Sequence, residues 1–175
     1  MEELPPLEHE EQKSHSKKII IFLGIILMFL ILVYSVFAPV QTIVQGFFES
    51  STLDENKIEI NSNSNLIFLN NTYGAVLDLH KENRSVELKA CLLGEIKESN
   101  YFIDSIFYPK IISQTHNQVV SSPCPDETLV DLHSHPYNHC LASDQDLYSF
   151  SKAKERNENT IMAIMCEEDR FNFYV

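Results

Sequence analysis

Twenty consecutive residues without a charge, IIIFLGIILMFLILVYSVFA at 19–38, restrict this chain more than any other stretch. At about 1.5 Å of rise per residue they make a helix of about 30 Å, the thickness of a bilayer's hydrocarbon core. A buried core helix would show a polar face, and this run has none. A cleaved signal peptide fits poorly. The apolar run is longer than a usual signal core, and Pro39 directly follows Ala38, the one residue suited to cleavage. The run therefore reads as an uncleaved single-pass anchor. Lys13, Lys17 and Lys18 precede it, and no Lys or Arg follows until Lys57. The positive-inside bias then places the amino terminus in the cytoplasm and the rest of the chain outside.

The chain has 175 residues, room for one ordinary domain and an appendage. Its net charge of −12 argues against a nucleic-acid partner, which needs a basic face. Residues 1–18 are polar and aperiodic and read as a disordered tail. Residues 39–53 place Val40, Ile43, Val44, Phe47 and Phe48 at helical spacing, as in a stalk or an interfacial linker. Residues 54–175 are expected to form the folded domain. There NKIEI, SVELKACLLGEI, YFIDSIFYPKII, TLVDLHSH, TIMAIMC and FNFYV read as strands. NNTYGAVLDLHKEN and SDQDLYSFSKAKERN read as helices, and residues 113–127 as a loop. The sum is a mixed α+β domain.

One polar stretch carries chemistry: HSHPYNHCLASDQD at 133–146. His133 and His135 stand two apart at the end of a strand, so both imidazoles point to one side, a pincer suited to zinc. Pro136 ends the strand. Ser143 is a natural helix N-cap, and Asp146 three residues on completes a capping-box pattern. In the first helical turn the Asp146 carboxylate can also aim back at the imidazoles, kept ionised by the positive helix terminus. Two nitrogens and one oxygen leave a fourth position for water, as in catalytic rather than structural zinc sites. Zinc lowers the pKa of bound water toward about 7, but hydrolysis still needs a carboxylate base that is not itself a ligand. Glu95, ending the apolar strand CLLGEI, is the expected base. Glu98 and Glu127 sit in evident turns and suit the role less well.

These residues resemble the JAMM (JAB/MPN-type) metalloproteases. That family's pattern is an upstream Glu, then H-[ST]-H-P, then a Ser followed three residues later by Asp. Here the pattern falls on Glu95, HSHP at 133–136, Ser143 and Asp146, and the resemblance covers roughly residues 66–175. It implies a cytidine-deaminase-like mixed β-sheet flanked by helices. It implies zinc on His133, His135 and Asp146, Glu95 as general base and Ser143 as oxyanion donor. It also implies cleavage of peptide or isopeptide bonds in conjugates of ubiquitin-like proteins. A catalytically silent scaffold of the same fold is the alternative, although such scaffolds lack ligands that this chain keeps. A zinc hydrolase of small molecules or nucleobases ranks last, because the H-x-E and P-C-x-x-C signatures are absent.

His139 and Cys140 lie in the loop with no set geometry, which argues against either as a further ligand. Cys91 and Cys166 fall in apolar strands and read as core thiols. Cys124 and Cys140 fall in loops and are the pair expected to bridge in an exported domain. His80 and His116 read as surface residues. Asn70-Asn71-Thr72 and Asn83-Arg84-Ser85 are glycosylation sequons that matter only after export.

Overall fold

The computed structural model describes residues 9–115, 118–136 and 139–175, with side chains from residue 17 onward except at 36, 38 and 39. Most of the expected tail's side chains, and all of His116, lie outside the described residues. The chain divides into two compact units, Met1–Gln41 and Thr42–Val175. Helix α1 spans His9–Glu49. It holds the one stretch, among the described residues, that is long and apolar enough to cross a membrane by length and composition. The best window has a mean hydropathy of 3.1, and none of it is buried.

The second unit is a mixed α/β fold on one large mixed sheet. Its strands are β1 (Ser51–Thr52), β2 (Lys57–Asn61), β3 (Ser64–Phe68), β4 (Lys89–Lys97), β5 (Asn100–Phe107), β8 (Val130–Ser134), β9 (Ile161–Glu167) and β10 (Arg170–Tyr174). They lie in the order β1-β10-β9-β8-β4-β5-β3-β2. The β3–β5 and β8–β9 pairs are parallel. The latter pair is bridged by helix α3 (Asp144–Arg156), and helix α2 (Thr72–Glu82) follows β3. Leu92, Leu132, Ile103 and Phe171 of the sheet and Val76 of α2 share the buried core. The β8–α3–β9 crossover matters most for chemistry, because it brings a strand's carboxyl end beside a helix's amino end.

The structure departs from the sequence reading in several places. Residues 113–127 are not a plain loop: β6 (Ile111–Gln114) and β7 (Val119–Ser121) pair as a separate two-stranded sheet. The strands are too short to show a period of two against their polar surroundings. The unit also starts earlier than residue 54. Ser51 and Thr52 pair with Phe171 and Arg170, and the Arg170 guanidinium stands 4.1 Å from the Phe47 ring centroid. The helix reading of NNTYGAVLDLHKEN, with Asn or Thr expected as its cap, holds for α2, but Asn71 stands in the left-handed region, φ 61°, and makes no side-chain cap bond. The Thr72 hydroxyl instead donates to the Leu69 carbonyl at 2.7 Å.

The cysteines pair as Cys91–Cys124 and Cys140–Cys166, not as Cys124–Cys140 with two core thiols. Each strand cysteine meets a loop cysteine laid over it. Burial in a strand does not distinguish a thiol from a half-cystine, which is why the sequence misled. His80, expected at the surface, is half-buried, and its Nδ1 has no hydrogen-bond partner among the described residues.

Candidate metal centre

Alternation along β8 turns Asp131 and His133 to one face and Leu132 to the core, and His135 follows on the first face. His133 and His135 are 4% and 7% exposed. Their ring centroids are 5.1 Å apart. Across the crossover Ser143 caps α3 in a reciprocal capping box. Its hydroxyl accepts the Asp146 amide at 3.2 Å, and Asp146 Oδ2 accepts the Ser143 amide at 2.8 Å. That box fixes the Asp146 carboxylate against both imidazoles. Oδ1 lies 3.4 Å from His133 Nε2, and Oδ2 lies 3.3 Å from His135 Nε2. One donor atom from each of the three residues falls within 4.8 Å of the others. The expected triad therefore converges, and the cluster could hold a metal ion.

The chemistry of the donors fits a divalent cation. His133 Nε2 is buried and makes no hydrogen bond among the described residues. It faces the Asp146 carboxylate without a well-formed hydrogen bond, a contact that a cation between the two would complete. Burial pushes the Asp146 carboxyl up, but contacts with the His133 and His135 imidazoles and the Ser143 hydroxyl outweigh it. They hold Asp146 well below the usual carboxylate range, ionised as a ligand must be. His135 is oriented from behind, with its Nδ1 3.4 Å from His139 Nδ1. Burial, then the neighbouring His135, lowers the pKa of His139 and keeps it neutral. It can therefore accept from His135 Nδ1–H and leave Nε2 free to ligate. His139 supports the site from the far side of the ring.

Glu95, the expected base, does not lie at the cluster. Glu95 lies on the far end of β4, its side chain 54% exposed and ion-paired with Lys97. Pairing between β4 and β8 stops at Leu92–Val130, so the rest of β4 overhangs the core with β5 as its ladder partner. Glu87 occupies the site instead. Lys89 pairs with His133 in antiparallel register, and the same register continued two residues outward sets Glu87 opposite His135. Glu87 Oε1 is 3.8 Å from His135 Nε2. Eight residues of strand at about 3.3 Å each put Glu95 roughly 26 Å from Glu87.

Glu87 is 7% exposed. Burial pushes its carboxyl above the usual range, against the pull of His135 and His133 and a hydrogen bond from the Val119 amide. The β6–β7 hairpin holds it there: Glu87 N–H donates to the Thr115 carbonyl at 3.0 Å, and Gln114 Nε2 donates to the Glu87 carbonyl at 2.6 Å. A signal for Glu87 existed in the sequence, a lone acid two residues before the strand residue that faces the histidines. Reading it required the register.

Ser143 is exposed at the mouth of a cavity of about 50 Å³ lined by Glu87, His133 and Asp146. Its hydroxyl donates to Asp146 Oδ2 at 2.6 Å. Lys89, which also lines this cavity, is neutralised by Asp131 at 2.5 Å. A wider groove of about 490 Å³ adjoins, between the hairpin and α3, lined by Val120, Tyr148, Lys152 and Arg156 among others. Set against protein-family models and curated proteins, the chain matches none.

Proposed function

We propose that this chain is a membrane-anchored, zinc-dependent hydrolase of peptide or isopeptide bonds with a JAB/MPN-type fold. Conjugates of ubiquitin-like proteins are the substrate class that the motif resemblance suggests. The observation that carries the reading is a buried two-imidazole, one-carboxylate cluster with a second, proton-poised carboxylate, Glu87, beside it. His133, His135 and Asp146 would hold the ion. When bound, zinc supplies Lewis-acid polarisation of the scissile carbonyl and acidifies a water. Glu87 takes the proton from the attacking water and passes it to the leaving amine. Its raised pKa suits both steps, since a base works best when its pKa approaches the working pH. Ser143 donates to the developing oxyanion. Its one proton is engaged with Asp146, so that donation requires the hydroxyl to turn. The groove between the hairpin and α3 would seat an extended segment of substrate beside the reacting carbonyl.

Residues 19–38 would anchor the enzyme, and the lysine bias and two disulfides support an extracytoplasmic domain. In that compartment the substrate would be an exported or membrane-borne protein. The decisive experiment measures zinc content and cleavage together. The full chain in detergent is loaded with zinc, then incubated with fusions of ubiquitin-like proteins and with unrelated peptides. One zinc per chain and cleavage of at least one protein substrate are expected, both lost in His133→Ala. A chain that binds no zinc would remove the hydrolase reading and leave the silent scaffold. Cleavage of small amides alone would move the substrate class.

A further inference from the structure

The loop that joins the two halves of the metal cluster, between His135 and Asp146, is clamped at its middle. Cys140 is disulfide-bonded to Cys166 of β9. Its carbonyl accepts from Asn172 Nδ2 at 2.9 Å, and Asn172 is buried on β10. Two residues on, the Ala142 amide donates to the Tyr174 hydroxyl at 2.9 Å. Ser143 and Asp146 follow directly, so these contacts set where the third ligand starts.

The other side of the clamp is the end of α1. Gly46 is buried, and a Cβ built on it would stand 3.0 Å from Cys140 Cβ and 3.3 Å from the Cys140 amide nitrogen. The neighbouring turn is fixed to β10: Arg170 stacks on Phe47 and donates to the Ser50 hydroxyl at 3.2 Å. The chain then runs into β1, where Ser51 pairs with Phe171. The contacts of Gly46 and Phe47 exceed what a spacer needs. The end of the helix packs closely on the loop before Asp146, at a glycine where any side chain would force Cys140 to give by a few tenths of an ångström. By contrast, a Cβ on Gly24 would meet nothing within 4 Å.

We infer that the last two turns of α1 are a strut for the active-site loop, and that Gly46 is a positioning residue for Asp146. The inference rests on the metal reading above, but its test has an arm that does not. The full chain in detergent micelles is compared as wild type, Gly46→Ala, Gly46→Leu and Gly24→Leu. Two quantities are read: cobalt(II) affinity with its visible spectrum, and amide hydrogen exchange. In Gly46→Leu, exchange over residues 141–146 should rise at least tenfold while β9 keeps its protection. Cobalt affinity should fall at least tenfold, with an altered visible spectrum. Gly46→Ala should show the same changes in smaller degree, and Gly24→Leu none. Wild-type exchange and affinity in a folded Gly46→Leu would overturn the strut. Should Gly46→Leu fail to fold, wild-type behaviour of Gly46→Ala would overturn it equally. A wild-type chain that binds no cobalt would sink the metal reading, and the exchange comparison alone would then decide the strut.

Discussion

Two glutamates eight residues apart, one just before β4 and one on it, stand in different surroundings. Glu87 is buried beside His135, whereas Glu95 is solvated and paired with Lys97. Glu87→Gln should therefore keep zinc stoichiometry and lower kcat by about 10²–10⁴, the usual worth of a general base. Glu95→Gln should stay within twofold of wild type. Parallel zinc and turnover assays check both, and full activity in Glu87→Gln would place the base elsewhere. Ser143 has two separable roles. As N-cap it contributes about 1 kcal/mol to stability, and the proposed oxyanion donation would lower the barrier by about 3 kcal/mol. Ser143→Gly caps nearly as well but has no hydroxyl to give. It should melt close to wild type yet turn over about a hundredfold more slowly, whereas Ser143→Ala should lose on both counts. The convergence of His133, His135 and Asp146 was legible in the sequence because strand alternation and a capping box are local rules. Glu87 was not, because a residue 46 positions before His133 comes beside the cluster through a register that only the sheet reveals.

At the level of elements, β8 and α3 were readable from a strand ending in proline and a helix opening on Ser-x-x-Asp. The β6–β7 hairpin was not, since its strands borrow their order from Glu87 and from the adjoining disulfide. Cys91–Cys124 closes a sequence separation of 33 residues. In the chain-entropy account a loop of that size is worth about 3.5 kcal/mol. Replacing both cysteines by Ala should lower Tm by roughly 10 °C. The hairpin reaches the cluster through Thr115, Gln114 and Val119, all touching Glu87. The loss of this disulfide should therefore show first in turnover, at temperatures well below Tm, while zinc remains bound. Thermal scans beside activity and zinc measurements at 25 °C separate the two effects. Release of zinc in step with activity would instead make this bridge a support of the metal cluster.

At the scale of the whole molecule the proposed anchor raises one question: which side of the membrane would carry the sheet. The lysines before residue 19 favour an outward domain, and two disulfides would persist there but not in a reducing cytosol. The sequons offer a third, independent reporter. Asn70 is exposed in the turn before α2, whereas the Asn83 amide nitrogen is committed to the Leu79 carbonyl at 2.8 Å. In sealed vesicles from eukaryotic cells expressing the chain, protease should spare the carboxyl-terminal unit until detergent is added. A maleimide-polymer reagent, added to the chain unfolded without reductant, should find no thiol, and after reduction it should find all four cysteines. Endoglycosidase should shift the band once, and Asn70→Gln should abolish the shift while Asn83→Gln leaves it. Digestion of the intact vesicles' carboxyl-terminal unit, together with four reactive thiols and no glycan, would reverse the orientation. The disulfide clamp on the loop before Ser143 would then be missing in the cell, and that loop would be held by Asn172, Tyr174 and the helix end alone. The lumenal arrangement is the one in which every restraint on the metal cluster acts at once.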